Sequence, residues 1–417
     1  MCGLSVIVGG NWNNAAISGV FAMNLNNVRS NSNDNIGGRD FNSLPDTTMV
    51  DTGVIGVCCP AISEIKKDTS LSSRLNLESQ GVSQKSKRVG FLCEKAFTRE
   101  ALYEAYLVAR KGKRKKRATL NFEKRLGAEL DSLYNELQNG TYKPKPYVTF
   151  YVYEPKKREI KAPAFRDLVV QHAIYKVIYP IFDRKFIHTS YACRKGGGTH
   201  KASAYTQKEI RKYSGNDYFA KLDIKKFFYS IMRFILEKMF YKVIKDKRFI
   251  AIMMMFAEIP TRFGIPIGNL LSQLYALIFL NPLDHFVKRV LKVKSYVRYV
   301  DDFVMIGLNL EKAKEFKNAC EEFVIKKLGL QLSHWHIQKI KRGINYVGYR
   351  TWKRVKFVRK HSMYKMKKAI KKGKIESIIS LVGHAKGTAT LRYFRNLLIE
   401  FSLLEKLPKR TQICLNM

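Results

Sequence analysis

The sequence predicts an α+β protein built around an antiparallel sheet, and two observations support this fold class. Predicted segments follow each other in the order helices, basic hairpin, strand, helix, acidic hairpin, strands, helices. The acidic hairpin is predicted where two adjacent carboxylates, Asp301 and Asp302, lie between two apolar, β-prone runs. A solvated turn is the simpler interpretation of such a pair, since Asp is common in turns.

Helices are predicted where apolar residues recur at helical spacing, and strands where β-prone residues alternate or cluster. The predicted helices are 97–107, 121–138, 166–182, 270–290 and 311–327. The predicted strands are Tyr147–Tyr153, Glu159–Pro163, Tyr218–Ile224, 330–338 and 344–350. Basic helices are predicted over 351–375 and 386–410.

The charge of the chain predicts a polyanionic partner. The 417 residues carry a net charge of +42, and residues 1–88 contain 8 Lys and Arg against 7 Asp and Glu. Nearly all of the excess therefore lies in residues 89–417, which are also rich in Tyr and Phe that can stack on bases. An acidic membrane surface is the competing partner, but the sequence has no apolar run of spanning length and no signal-peptide pattern. Nucleic acid inside the cell is the better prediction.

Cysteine usage fits the cell interior. The chain has seven cysteines, an odd number, and none forms a Cys-x-x-Cys pair. This argues against a disulfide framework or a zinc ribbon and predicts reduced thiols.

Residues 1–88 differ from the rest of the chain. Ten Asn residues fall between Asn11 and Asn42, among repeated Gly and Ser. These residue types favour turns over regular structure, so an irregular or disordered leader is predicted.

A run of basic residues from Arg110 to Arg117 is predicted to contact a phosphate backbone. The residues expected to make this contact are Arg110, Lys113, Arg114, Lys115 and Lys116. A solvated loop explains the same run nearly as well.

A third acid turns the Asp301-Asp302 pair into a candidate metal site. Asp223 closes the apolar run Tyr218–Ile224, where a buried charge needs a partner. Alone, an Asp at the end of a strand is more often a helix cap or a turn residue. Three carboxylates on neighbouring strands suit two Mg²⁺ ions, which would stabilise the attacking and leaving oxygens of a nucleotidyl transfer.

These residues, in this order, resemble the motifs of reverse transcriptases from about Phe97 to Leu404. Tyr299-Val300-Asp301-Asp302 resembles the family's Tyr-x-Asp-Asp box, and Asp223 its first palm aspartate. The resemblance implies a right-hand polymerase fold with two bound Mg²⁺ ions, for which Mn²⁺ can substitute. It implies that Asp223 and Asp301 ligate both ions, that Asp302 supports them and that the Ile224 carbonyl joins the shell.

The resemblance also divides the chain into regions. Residues 89–217 would form N-terminal helices and fingers, 218–350 the palm, and 351–417 a short basic thumb that follows the template–primer backbone.

Further site residues follow from the same resemblance. Lys156, Lys157 and Arg158 resemble the fingers hairpin that holds the incoming triphosphate. Phe228 matches the aromatic gate that selects deoxynucleotides, and Tyr346 and Gly348 match the primer grip. The plainer interpretations are an exposed basic turn for the hairpin and core packing for the aromatic residues.

One loop distinguishes among the types of reverse transcriptase that the chain could resemble. Where most reverse transcriptases have Gln-Gly-x-x-x-Ser-Pro, this chain has Ile267-Gly268-x-x-x-Ser272-Gln273, which is similar to enzymes of diversity-generating retroelements. The resemblance implies copying of a template-repeat RNA with frequent errors opposite adenine, and a small basic accessory protein as partner. Ile267, Gly268 and Gln273 would line the nucleotide site. An Ile there offers no side-chain hydrogen bond, so base selection would depend on shape. The location implied is the cytoplasm of a bacterium, with a chromosomal, phage or prophage gene.

In that context the Asn-rich leader resembles the variable end of a C-type-lectin-like target protein. It would then be a translated template repeat, unable to fold as a lectin domain.

Some alternatives stay open at this point. The proton donor for pyrophosphate release is His334 or Lys339. A group II intron maturase, a retron or a phage-defence enzyme are the nearest rivals. From another class, a non-catalytic RNA-binding protein with a polymerase fold would also carry the basic charge.

Overall fold

The computed structural model describes residues 87–153 and 157–416. The Asn-rich leader, its lectin-like motifs and Lys156 lie outside the described residues, so those expectations stay predictions. The predicted mixture of helices with antiparallel sheets is confirmed.

The N-terminal part consists of helices followed by a hairpin and two more helices. The helices before the hairpin are α1 (Leu92–Ala96), α2 (Arg99–Ala109), α3 (Arg117–Glu123) and α4 (Leu126–Asn139). The hairpin strands are β1 (Val148–Val152) and β2 (Arg158–Ala162), and the following helices are α5 (Phe165–Asp183) and α6 (Thr199–Ile210). Gly140, at φ +74°, terminates α4, as the Asn-Gly pair predicts.

The central part carries a four-stranded antiparallel sheet. Its strands, in chain order, are β3 (Tyr218–Ile224), β4 (Ser295–Tyr299), β5 (Asp302–Leu308) and β6 (Leu332–Lys339), and they are ordered β4-β5-β3-β6 in the sheet. The helices of this part are α7 (Phe227–Ser230), α8 (Arg233–Tyr241), α9 (Lys247–Met255), α10 (Leu270–His285) and α11 (Leu310–Leu328). A π-helical turn, Phe286–Val290, continues α10.

Helix α10 forms the centre of the apolar core. It is apolar around most of its circumference, which is typical of a helix buried on all sides. Asn269 caps it by accepting a hydrogen bond from Leu271 N at 2.9 Å, and its amide also donates to the carbonyl of Phe256 at 2.9 Å. The loop before α10 is therefore fixed at its junction with the helix.

The C-terminal part joins a small sheet to a helical cluster. The sheet contains β7 (Ile344–Tyr346), β8 (Tyr349–Thr351) and β9 (Lys356–Val358), in that order. The helices are α12 (Lys360–Lys371), α13 (Ile375–Ala385), α14 (Thr390–Glu400) and α15 (Lys409–Asn416).

Several predicted boundaries were wrong. Residues 344–351 form the β7–β8 hairpin and residues 349–358 the β8–β9 hairpin, so the first helix of the predicted thumb begins only at Lys360. Prediction also missed α6, α8 and α9. Helix α6 is polar over most of its length, so the helical pattern of its few buried residues is weak.

Four cysteines lie in the described part, Cys93, Cys193, Cys320 and Cys414, and all four are free thiols as predicted. Burial raises the pKa of Cys93 and of Cys193 to about 12, so these thiols stay protonated at neutral pH. Within the same described part, no helix combines the length and apolar character needed to cross a bilayer.

Candidate active site

Two of the three predicted aspartates face each other across the central sheet. In the antiparallel pairing of β3 with β5, Asp223 lies directly opposite Asp302. Such cross-strand neighbours have Cβ atoms about 4.5–5.5 Å apart, where like charges repel. Asp301 occupies the two-residue turn between β4 and β5, because Tyr299 pairs with Asp302. All three acids therefore lie at one end of the sheet.

The turn that holds Asp301 is strained. Val300 has φ +57°, a conformation that β-branched residues rarely adopt. A residue held there costs on the order of 1–3 kcal/mol, which the surrounding structure must offset. The Arg298 guanidinium donates a hydrogen bond to the Val300 carbonyl at 2.8 Å and so holds the turn from below.

Arg298 is itself held by a buried ion pair. Its Nε and Nη2 atoms donate to Asp284 at 2.7 and 2.6 Å, and both side chains are fully buried. The Tyr296 hydroxyl donates to the same carboxylate at 2.7 Å. Removing one partner from such a pair typically costs 3–5 kcal/mol, because the other charge stays buried and uncompensated. The network thus ties the turn to the last turn of α10.

Asp301 and Asp302 resist ionisation. Burial, followed by the nearby charge of Asp223, raises the pKa of Asp301 to about 7. Burial raises the pKa of Asp302 to about 6, although Lys221 opposes the shift. Lys221 Nζ lies 3.0 Å from Asp302 Oδ2, and Ser333 Oγ donates to Asp223 Oδ2 at 2.7 Å. Burial is the larger cause of both raised pKa values, and the charge of Asp223 adds to it.

The donor set fits divalent cations that take few protein ligands. Among the described residues, Asp302 Oδ1 is buried and has no hydrogen-bond partner, which leaves a lone pair for a cation. Within the described ranges, no three or more His, Cys, Asp or Glu side chains lie close enough together to hold a metal ion on their own. Mg²⁺ suits such an open arrangement, because it binds through one or two carboxylates and completes its shell with water and phosphate.

The basic hairpin reaches the acidic turn. Arg158, the first residue of β2, lies near enough to Asp301 to lower its pKa, against the larger effect of burial. Lys157 is exposed, and its ammonium lies 4.5 Å from the centre of the Tyr151 ring. The structure therefore brings Arg158, one of the three predicted triphosphate-binding residues, within electrostatic range of Asp301.

The loop before α10 packs against the same hairpin. The Ile267 carbonyl accepts a hydrogen bond from Lys161 N at 2.7 Å, and the Ile267 side chain is buried. Gly268 has φ +105°, and a Cβ there would lie 2.7 Å from the Ile160 side chain. Only Gly fits at this junction. Gln273 is half-buried on the first turn of α10.

Phe228 follows Asp223 closely. It lies on α7, is 6% exposed, and packs edge-to-face with Phe227 at 5.6 Å between ring centres. Its carbonyl accepts a hydrogen bond from Ile265 N at 2.8 Å, which joins it to the loop before α10. The packing buries Phe228 beside the loop before α10, and its predicted gating role stays a prediction.

The β7–β8 hairpin supports the acidic turn from another side. The Tyr346 hydroxyl donates to the Asp302 carbonyl at 3.4 Å. Val347 and Gly348 both have positive φ angles, the pattern of a type I′ turn. A Cβ at Gly348 would lie 3.0 Å from the His384 ring, so packing against α13 is sufficient to explain this glycine. Its predicted contact with a primer stays a prediction.

The predicted phosphate-binding run divides into two groups. Arg110 forms an ion pair with Glu123 at 2.8 Å, and Lys113 Nζ donates to the Ala109 carbonyl at 3.2 Å. Burial lowers the pKa of Lys113 and that of Lys116. Arg114 and Lys115 are exposed. Arg110 is thus engaged within the fold, and the exposed members are better placed for a backbone contact.

Strand register distinguishes the two candidate proton donors. Strand β6 pairs with β3 so that Lys339 lies opposite Tyr218, at the end of the sheet remote from Asp223. His334 is exposed and lies at the Asp223 end, next to Ser333. Lys339 is therefore excluded by distance, while His334 remains a candidate.

Sequence reasoning missed four residues that complete the site, Lys221, Ser333, Arg298 and Asp284. A signal existed for Lys221, because residues two apart in a strand share a face and Lys221 precedes Asp223 by two. No local pattern pointed to Ser333 or Asp284, whose partners lie on other elements.

Comparison with known proteins agrees with this geometry. Residues 144–351, about half of the chain, match the family model described as reverse transcriptase (RNA-dependent DNA polymerase). Protein YkfC of Escherichia coli (strain K12) is 24% identical over 287 residues, 58% of this chain and 74% of YkfC. Group II intron-encoded protein LtrA of Lactococcus lactis subsp. cremoris is 28% identical over 178 residues, 40% of this chain. That alignment covers only 29% of LtrA.

Among solved structures, telomerase from Candida albicans in complex with a TWJ fragment of telomeric RNA is similar with a TM-score of 0.40. The sequence identity is 11%, and the match covers 63% of this chain and 57% of that one.

Proposed function

We propose that this chain, whose residues 144–351 belong to the reverse transcriptase family, copies RNA into DNA at the aspartate cluster formed by Asp223, Asp301 and Asp302. One observation carries the proposal: Asp223 and Asp302 are direct cross-strand neighbours, with Asp301 in the adjoining turn. The raised pKa values of Asp301 and Asp302 support it, because bound cations would relieve the repulsion that causes part of them.

Each residue then has a definable task. Asp223 and Asp301 would hold two Mg²⁺ ions with help from the Ile224 carbonyl, while Lys221 and Ser333 keep the neighbouring carboxylates oriented. Bound Mg²⁺ would supply the charge that stabilises the attacking and leaving oxygens in nucleotidyl transfer. Arg158 would bind the triphosphate from the side of the fingers hairpin, and Phe228 would line the sugar pocket.

Primer extension on an RNA template tests this function. Wild-type protein with Mg²⁺ is expected to extend a DNA primer, and Asp302→Ala to lower the rate by about 10³-fold or more, since charge stabilisation is a large part of this catalysis. Lys314→Ala, on the exposed face of α11, is the matched control and should retain the wild-type rate. No extension by the wild type, or undiminished extension by Asp302→Ala, would contradict the proposal.

We further propose that the enzyme belongs to a diversity-generating retroelement and copies a template-repeat RNA with errors opposite adenine. The Ile267-Gly268 and Ser272-Gln273 pairs support this subtype. In this proposal Ile267 contributes to the nascent base-pair pocket, where an apolar side chain leaves selection to shape. Gly268 keeps the loop against Ile160 of the fingers hairpin. A small basic accessory protein is the partner proposed for the C-terminal helices.

Replacing Ile267 with Gln tests the subtype. The variant is expected to misincorporate less often opposite template adenine, with errors opposite other bases little changed. Deep sequencing of cDNA made by both proteins measures this, and Ile267→Leu is the control of similar volume. Identical error spectra for wild type and Ile267→Gln would defeat the explanation.

A reverse transcriptase of intron type is the second candidate. The similarity to Group II intron-encoded protein LtrA favours it, although that match covers under a third of LtrA. The two candidates differ in the flanking DNA. A near-copy of codons 9–42 that differs mainly at adenines, beside a small basic reading frame, would support the first; intron sequence around the gene would support the second.

A further inference from the structure

A hollow of about 430 Å³ opens at the end of the central sheet away from the aspartates. Its lining includes Ile340, Lys341, Trp352, Lys353, Arg354 and Phe357, and we call it the distal hollow. None of its lining residues is acidic.

The distal hollow is separate from the aspartate cluster. Its wall is attached where β3 begins, since Ile340 N donates to the Asp217 carbonyl at 2.8 Å and Lys341 N to the Gly215 carbonyl at 2.9 Å. Six residues of extended chain separate Asp217 from Asp223, which corresponds to about 20 Å. A template–primer duplex that extends less than about 20 Å from the aspartates would therefore not reach the distal hollow.

The aromatic wall is rigid before any ligand arrives. The rings of Trp352 and Phe357 meet edge-to-face at 6.0 Å, and the Arg350 guanidinium lies 5.1 Å from the Trp352 ring centre. A Cβ at Gly343 would lie 2.4 Å from the Trp352 ring, so the indole is packed directly on backbone. Yet Phe357 remains 40% exposed.

The backbone of the loop between β8 and β9, which carries the cations at the edge of the distal hollow, is held by hydrogen bonds. Trp352 N donates to the Val355 carbonyl at 2.8 Å, which closes a tight turn. Arg211 Nε donates to the Lys353 carbonyl at 2.9 Å and Gln207 Nε2 to the Trp352 carbonyl at 3.2 Å, which fasten the turn to α6. The fold therefore presents an apolar, aromatic surface bordered by Lys341, Lys353 and Arg354.

We propose that the distal hollow binds unpaired nucleotides of the template RNA, outside the duplex at the aspartates. Bases would stack on Trp352 and Phe357, and the phosphates between them would pair with Lys353 and Arg354. Aromatic faces bordered by cations are the usual means of holding single strands. This inference depends on the proposed function for the identity of the RNA, and it adds a second contact about 20 Å from the chemistry.

Binding to two RNAs tests the inference with the full chain. One is a short template–primer duplex, and the other is the same duplex with a single-stranded template extension of about 12 nucleotides, within the usual span of such sites. Phe357→Leu is expected to weaken binding of the extended RNA roughly tenfold, because Leu offers no aromatic face on which a base can stack. Affinity for the short duplex should not change.

Matched variants separate stacking, charge and folding. Phe357→Tyr keeps an aromatic face and should bind the extended RNA like wild type. Lys353→Glu should weaken binding of the extended RNA and reduce the salt dependence of that binding. Lys314→Glu makes the same charge change on α11 and should have neither effect. Equal losses for Lys353→Glu and Lys314→Glu, or wild-type affinity in Phe357→Leu, would overturn the inference.

Primer extension on the short duplex distinguishes this failure from failure of the proposed function. If wild type extends the primer and Phe357→Leu binds extended RNA normally, only the distal hollow is wrong. In the opposite case, wild type fails to extend the primer while Phe357→Leu still binds the extended RNA more weakly than wild type does. That result would support the distal hollow and contradict the proposed polymerase function.

Discussion

The acidic β4–β5 hairpin and the basic β1–β2 hairpin, to which the proposed function gives parts of one reaction, are built differently. Every residue of β4 is buried, and its turn is held by a fully buried Arg–Asp pair. In β1–β2, which forms a two-stranded sheet of its own, Ile160 is the one buried residue among the described strand positions.

The difference matches the role that the proposed function gives to each hairpin. Carboxylates that hold metal ions need positions accurate to about half an ångström, which a packed sheet provides. A hairpin that binds and releases a triphosphate needs freedom to move, and two-stranded sheets alone are marginally stable. The contact of Lys161 N with the Ile267 carbonyl leaves this hairpin attached at its base.

The largest expected effect comes from breaking the buried pair under the acidic hairpin. Arg298→Met should lower the free energy of unfolding by about 3–5 kcal/mol, because Asp284 is left buried without its partner. The double variant Arg298→Met/Asp284→Asn removes both charges while keeping an acceptor for Tyr296, and it should recover most of that loss. Urea denaturation measures both.

In that double variant, stability should recover while activity stays low. The Val300 carbonyl still lacks its donor, so the polymerase rate should stay low at temperatures where the protein is folded. A double variant with wild-type activity would show that the Arg298 hydrogen bond does not position the turn.

In the basic hairpin, a substitution should lower activity while leaving stability nearly unchanged. Arg158→Ala is expected to lower kcat/KM for the incoming nucleotide by roughly 10²-fold, since one preorganised donor to developing charge is worth about that much. Its melting temperature should change little, because the side chain is only partly buried and belongs to a two-stranded sheet outside the central core. Single-nucleotide incorporation kinetics and thermal denaturation check the two parts. An equal fall in stability would contradict the contrast drawn between the hairpins.

The last expected effect is a pH-dependent gain in stability. The folded state raises the pKa of Asp301 to about 7 from an ordinary value of 3.8. Between these values the folded protein keeps a proton that the unfolded chain has lost, so stability falls as pH rises through this window. Asp301→Asn removes the cost and should raise Tm above about pH 7 by about 2–4 °C for each kcal/mol of repulsion removed.

Metal ions provide the control for that prediction. With EDTA the stability difference between Asp301→Asn and wild type should be largest at pH 8 and should disappear near pH 4. Mg²⁺ should stabilise wild type at pH 8 more than the variant, because it binds the ionised carboxylate. A variant less stable than wild type at pH 8 in EDTA would contradict the electrostatic argument.

Prediction succeeded where a pattern is local. The strand Tyr218–Ile224 was predicted with its observed bounds, and the helices at 166–182 and 311–327 are each within one residue. Prediction failed where packing against another element determines the secondary structure. Residues 351–358 are basic and were assigned to a helix, but they form a hairpin that packs against α6.

The amino-acid sequence by itself determined which residues can do the chemistry. An apolar run ending in Asp223 and two β-prone runs around Asp301-Asp302 specify acids at strand ends, since strand periodicity and turn chemistry are local properties. The tertiary structure alone decided what surrounds them. Lys221 meets Asp302 and Ser333 meets Asp223 only because β3 pairs with β5 and β6 in one register. Long-range pairing sets that register, and no single segment contains the information for it.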